Sequence, residues 1–233
     1  MSHAFDLEAE FLRLYELCRA ETMTSIERMY ALYQATCYVL DGDVPGDFVE
    51  CGVWRGGSLM LMAYTLLSRG CTDRTIWLYD TFDGVTAPAE VDVQAMSGRS
   101  AVDILDERER SQDDPFWGIA PRPLVESNLR RTGYPLHRFR FVEGDVLQTI
   151  PAEAPESMAV LRLDTDWHKS TLHELEHLYP RLSPGGVLIV DDYGYWRGAR
   201  QATDEYFQTV AVRPLLNRID YTGRICVKPF EVR

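Results

Sequence analysis

The chain alternates short, almost wholly apolar segments with helix-like segments, and the apolar segments end at acids. The runs 75–80, 139–144, 158–164 and 186–191 close on Asp80, on Gly144 followed by Asp145, on Asp164 and on Asp191-Asp192. A further short run, 47–51, carries Glu50 one residue from its end. Strands that are apolar on both faces must be covered on both faces, which is the condition of a parallel sheet between helical layers. Helical spacing fills the gaps at 57–68, 171–182 and 199–210, and a last strand is expected at 224–228. Two helices precede the alternation. One runs over 5–20, with Leu7, Phe11, Leu14, Tyr15 and Cys18 on one face. The next opens on Thr24-Ser25-Ile26-Glu27, which has the form of a capping box, and stops at Asp41-Gly42-Asp43-Val44-Pro45-Gly46.

A length of 233 residues fits one α/β domain, read here as 1–233 with an N-terminal helical cap over 1–42 and an insertion over 83–123. The insertion is polar and irregular, and loops of that length in compact domains are commonly lids over a site. A formal net charge of −12 argues against nucleic acid as a partner, because the surface repels phosphate. Met1 to Glu8 has neither a basic nor an apolar leader region, and no apolar run reaches the roughly 18 residues of a membrane span. The five cysteines are odd in number, widely spaced and form no CxxC. Reduced thiols in a cytoplasmic protein are expected from that pattern.

The turn Glu50-Cys51-Gly52-Val53-Trp54-Arg55-Gly56-Gly57-Ser58 joins a strand to a helix. Glycines there admit a ligand close to the backbone, and the helix start offers free N–H groups. The spacing is not the GxGxxG of a nicotinamide site. It is E-x-G-x-x-x-G, the form methyltransferases place around the methionine half of S-adenosylmethionine. Asp80 can accept the two ribose hydroxyls of an adenosine, and Asp145 can face the adenine edge. If the strands ending at Asp164 and Asp191-Asp192 are neighbours, three carboxylates converge at one sheet edge. Alone they repel, and a hard divalent ion such as Mg²⁺ relieves that repulsion. Coordination lowers the pKa of a bound hydroxyl, and a nearby base takes its proton. Asp166 and His168 both follow the fourth strand closely and both qualify, with Asp166 favoured. His173-Glu174-Leu175-Glu176-His177 matches the zinc motif HExxH. However, Leu172, Leu175, Leu178, Tyr179 and Leu182 share one helical face, and the two histidines are expected on the opposite, solvent side.

The runs 47–58, 78–84 (Leu-Tyr-Asp-Thr-Phe-Asp-Gly), 163–171, 178–186 and 190–193 together resemble the macrocin O-methyltransferase (TylF-type) family. The resemblance implies a Rossmann-like class I methyltransferase sheet, mostly parallel with an antiparallel C-terminal strand, and helices on both faces. It implies dependence on S-adenosylmethionine and Mg²⁺, and methylation of a sugar hydroxyl on a glycosylated natural product, as in antibiotic tailoring. It implies Asp164, Asp191 and Asp192 as metal ligands and Asp166 as base. It implies a cofactor site made of Met23, Glu50, Gly52, Trp54, Arg55, Gly56, Ser58, Asp80, Thr81, Phe82 and Asp145. Met23-Thr24 resembles the segment that closes over the cofactor, and 125–129 the helix after the lid. Here Asp166-Trp167 is followed by His168-Lys169-Ser170-Thr171 where the family pattern is closer to Tyr-Glu-Ser-Thr. The rival readings are a catechol-type O-methyltransferase acting on a phenolic diol and a scaffold without activity. A homo-oligomer, a dimer, is expected if the N-terminal helices pack between copies; their apolar face could equally cover the sheet.

Overall fold

The computed structural model describes residues 6–230. Phe5, the expected start of the first helix, lies outside them, as do Met1 to Ala4 of the leader reading. In chain order the elements are α1 (Ala9–Cys18), α2 (Ile26–Asp41), β1 (Asp47–Cys51), α3 (Gly57–Ser68), β2 (Ile76–Asp80), α4 (Ala101–Asp106), α5 (Arg122–Arg130), β3 (Phe139–Glu143), α6 (Val146–Thr149), β4 (Met158–Leu163), α7 (His168–Leu178), β5 (Leu182–Val190), α8 (Arg197–Thr209), β6 (Asn217–Arg218) and β7 (Arg224–Val227). The sheet runs β3-β2-β1-β4-β5-β7-β6. β1 to β5 are parallel, and β7 pairs antiparallel with β5 and with β6. The chain builds outward from β1 to β3, then crosses back to lay β4 against the other side of β1. That reversal leaves a crevice beyond the carboxyl ends of β1 and β4, where open α/β sheets bind ligands.

The core explains why the strands read as unbroken apolar runs. Every residue of β4 is buried, including Arg162. α3 is apolar nearly all round because it is enclosed: Leu59, Met60, Leu61, Met62 and Ala63 are each fully buried, between the sheet and α1 and α2. Burying each large apolar side chain contributes about 1.5–3 kcal/mol. α1 buries Phe11, Leu14 and Cys18, and α2 buries Met29, Leu32, Ala35 and Val39 in the same cluster. The apolar face of the N-terminal helices therefore packs on α3 and the sheet layer.

Four local expectations shift. The N-cap of α2 is Ser25, whose Oγ accepts from the Arg28 amide at 3.2 Å, one residue later than the Thr24 box predicts. α7 starts at His168, not Thr171, and β5 starts at Leu182, which the helical pattern assigned to the preceding helix. His173 and His177 are half-buried rather than free in solvent. Their rings meet at 4.4 Å, and His173 Nε2 lies 3.0 Å from the Ile150 carbonyl.

Residues 83–121, between β2 and α5, hold α4 and a single 3₁₀ turn at Pro115–Trp117. Their own small cluster packs Ala101, Ile104 and Leu105 against Trp167, Trp196 and Ala199. Asp92, fully buried, fastens the segment to α7 by accepting from the His168 amide at 2.8 Å. A Cβ on Gly198 would lie 1.8 Å from Asp92 Oδ1, so only glycine lets α8 approach that carboxylate.

Candidate active site

A cavity of about 350 Å³ opens beyond the ends of β1, β2, β4 and β5. Its floor on one side is the turn after β1. Gly52 has φ +80°, and a Cβ there would lie 2.0 Å from the Asp164 carbonyl oxygen. That approach explains a glycine at this position, since any side chain would push β1 and β4 apart. Trp54 adopts φ +45° and stands in the cavity wall, with the Arg55 guanidinium 4.7 Å above its ring. Asp80 braces the turn. It accepts from the amides of Val53 at 2.7 Å, Trp54 at 3.2 Å and Phe82 at 2.8 Å. Burial pushes its carboxyl upward, and those three N–H groups oppose the rise.

Of the predicted cofactor residues, Met23, Gly52, Trp54, Asp80, Thr81 and Asp145 line the cavity. Arg55, Gly56, Ser58 and Phe82 are not among the residues that line it. Ser58 belongs to α3, and its Oγ lies 3.7 Å from Met29 Sδ. Glu50 is also displaced from its predicted place. It is 1% exposed and ion-paired to Arg162, its registered neighbour on β4. Burial drives its carboxyl up to about 8, against the pull of that guanidinium. Glu50 thus serves as the buried partner of Arg162, a contact its motif did not point to.

The other side of the cavity holds the acids. Ligand atoms of Asp164, Asp191 and Asp192 all lie within 4.8 Å of one another. Asp191 is braced from two directions. Arg162 Nη2 reaches Oδ1 at 2.5 Å, and Arg28 of α2 pairs with Oδ2. Arg162 also reaches Asp164 at 2.8 Å, and Arg28 reaches Asp220 at 3.0 Å. Asp192 has no such support: its Oδ2 is buried without a hydrogen-bond partner among the described residues. Burial, then the charges of Asp166, Asp164 and Asp191, push its carboxyl far above the ordinary range. Burial, opposed by Arg162, takes Asp164 up to about 6. A buried oxygen without a donor, within reach of two more carboxylates, fits a hard divalent cation.

Asp166 sits beside this cluster at φ +66° and lines the cavity. Trp196 Nε1 donates to its Oδ1 at 2.8 Å. Burial and the charge of Asp164 take its carboxyl up to about 7. His168, the other predicted base, is not brought to the cavity. Its ring faces α8, where Nε2 meets Glu205 at 2.9 Å. As the first residue of α7 it follows the helix rather than the strand end.

Sequence reasoning missed several residues here. Arg28 and Arg162 carry the charge balance, and Phe116, Trp167, Tyr195, Trp196 and Tyr221 give the acid side aromatic walls. Arg162 left a signal, because an arginine inside an apolar strand demands buried partners. Glu174 left none. It is fully buried beneath the site, accepts from Thr165 Oγ1 at 3.0 Å, and is pushed up to about 8 by burial.

The sheet order and a cofactor-shaped turn beside an acid cluster define an S-adenosylmethionine-dependent O-methyltransferase. The chain belongs to the macrocin O-methyltransferase (TylF) family, whose sequence model matches residues 17–228. It is 35% identical over 204 residues to the 8-demethyl-8-(2,3-dimethoxy-α-L-rhamnosyl)-tetracenomycin-C 4'-O-methyltransferase of Streptomyces olivaceus, covering 88% of this chain and 74% of that one. It is 34% identical to the demethyldecarbamoylnovobiocin O-methyltransferase of Streptomyces niveus, with the same coverage. The solved structure of the O-methyltransferase NovP superimposes with a TM-score of 0.76 at 31% identity, over 90% of this chain and 83% of that one. An O-methyltransferase from Bacillus cereus in complex with SAH shares the fold, with a TM-score of 0.54 at 14% identity. Among the described residues, no helix is long and apolar enough to cross a membrane.

Proposed function

We propose that this enzyme methylates a sugar hydroxyl of a glycosylated natural product, in the tailoring of an antibiotic, with Mg²⁺ at Asp164, Asp191 and Asp192 and with Asp166 as general base. The observation that carries the reading is the buried, unpartnered Oδ2 of Asp192, with Asp164 and Asp191 within 4.8 Å. The names of the relatives support the acceptor class: two act on a tetracenomycin rhamnoside and on mycinamicin III. The aromatic wall suits the apolar faces of a sugar ring.

A divalent cation on the three aspartates would lower the pKa of a coordinated hydroxyl. Asp166 accepts the hydroxyl proton, and at φ +66° its backbone directs the carboxylate into the cavity. Arg162 and Arg28 hold Asp191 in place from opposite sides. Gly52, Trp54, Asp80 and Asp145 would hold S-adenosylmethionine, which would supply the methyl group, and the rate gain there would be one of placement. Phe116 and Trp196 wall the acid side. The five unpaired cysteines support a cytoplasmic location.

The test is an acceptor screen with S-adenosylmethionine, run with Mg²⁺ and with chelator. The panel is the rhamnosyl tetracenomycin, demethyldecarbamoylnovobiocin, mycinamicin III and simple catechols. Mg²⁺-dependent methylation of a glycoside is the expected result. Turnover of catechols alone, or glycoside methylation unmoved by chelator, would overturn the acceptor or the metal assignment respectively.

A further inference from the structure

We propose that Trp196 is the positioning residue for Asp166, and that residues 83–121 hold Trp196 in place, so that the segment walling the acceptor side also aims the base. This rests on the reading of Asp166 as the base. Asp166 is a non-glycine residue at φ +66°, a conformation that persists only where surrounding contacts impose it. Among the described residues, the hydrogen bond from Trp196 Nε1 at 2.8 Å is the one its side chain makes. It fixes Oδ1 and leaves Oδ2 to accept a proton.

Trp196 is itself packed tightly among neighbours. It is 2% exposed. Its ring meets Trp167 at 5.0 Å, Tyr195 at 5.1 Å and Phe116 at 6.1 Å, all edge-on. Phe116 belongs to the 83–121 segment, and so do Ala101, Ile104 and Leu105 of the same cluster. The backbone adds a short antiparallel bridge between Gln94 and Trp196. The Arg197 amide donates to the Val93 carbonyl at 2.9 Å, and the Ala95 amide donates to the Tyr195 carbonyl at 2.8 Å. On its other side the Trp196 amide donates to the Asp192 carbonyl at 3.0 Å. One residue therefore links the inserted segment, a candidate metal ligand and the candidate base. Packing alone would need only an aromatic ring; the indole N–H is needed for Asp166.

The test is a double-mutant cycle of Trp196→Phe and Asp166→Asn. It is read as kcat and KM with the glycoside turned over in the screen above, alongside thermal melts. Trp196→Phe keeps the ring and removes the N–H. It is expected to lower kcat by about 10–100-fold, the usual range for a residue that orients a catalytic group. KM for S-adenosylmethionine should stay within about twofold. In the Asp166→Asn background the same change should cost nothing further in kcat. Losses that multiply across the cycle, or a change confined to KM, would sink the proposal and leave the base reading standing. Full activity in Asp166→Asn would sink the base reading, and the proposal with it. A readout that needs no acceptor is the Trp196 indole proton resonance, assigned by its loss in Trp196→Phe. It should move upfield in Asp166→Ala, and an unmoved resonance would show that the hydrogen bond does not form.

Discussion

Asp80 and Asp192 stand at the ends of parallel strands, face one cavity and are both withdrawn from water, yet the protein treats them in opposite ways. Asp80 receives three backbone N–H groups, from Val53, Trp54 and Phe82. Asp192 leaves Oδ2 without a partner and lies among three further carboxylates. On the cofactor side the acid completes the protein's own turn. On the side of the acid cluster the protein withholds a partner, and its two guanidiniums go to Asp191 and Asp164 instead. A carboxylate that is satisfied internally stabilises the fold, whereas one left unsatisfied costs stability and is poised for a ligand.

The same substitution at the two sites should therefore act with opposite signs. The largest effect is expected on turnover. Asp192→Asn should lower kcat by at least about 100-fold, because the loss of a proposed metal ligand would remove several kcal/mol of transition-state stabilisation. Retained turnover in a metal-supplemented assay would remove Asp192 from the site. Next in size, Asp80→Asn should destabilise the protein by about 1–3 kcal/mol, since an amide is a weaker acceptor for three N–H groups and brings donors of its own. Urea titration would show it, together with a raised KM for S-adenosylmethionine. Asp192→Asn, melted in chelator, should gain about 1 kcal/mol, because the amide removes the cost of burying an acid that must take up a proton to fold. If both variants lose stability equally, the contrast between the two acids is broken.

The last effect is one of pH dependence and concerns Glu174, which is fully buried. Its carboxyl is raised from 4.5 to about 8 by burial. Between those values the unfolded chain has released the proton and the folded chain still holds it. The stabilising contribution is thus complete below about pH 4.5 and is lost as pH rises to about 8. Wild-type protein should lose several degrees of Tm over that interval relative to Glu174→Gln, a difference on the order of a few kcal/mol. Parallel melting curves for the two proteins across pH 5–8 would refute the assignment.

Much of the scaffold was legible because its signals are local. The strands around Val49, Leu78, Leu161 and Ile189 are continuous apolar runs, and their acids follow at fixed offsets. Asp164, Asp191 and Asp192 could be joined on paper by supposing two strands adjacent, and β4 and β5 are adjacent. His168 shows where that logic stops. It is two residues from Asp166 in sequence, but the helix that starts at His168 turns its ring toward Glu205. Glu50 shows the same limit: its motif suggested the cofactor, and strand register delivered it to Arg162.

The sequence by itself determined the layered α/β fold, the glycine turn and the family, because hydrophobic period and motif spacing are carried by neighbours along the chain. Only the tertiary structure decided which acid is satisfied and which is not. Arg28 comes from 163 residues away to reach Asp191, and Trp196 comes from 30 residues away to reach Asp166. Hydrogen bonds of that kind depend on where a folded backbone aims each side chain, and that direction is fixed by packing rather than by the order of residues.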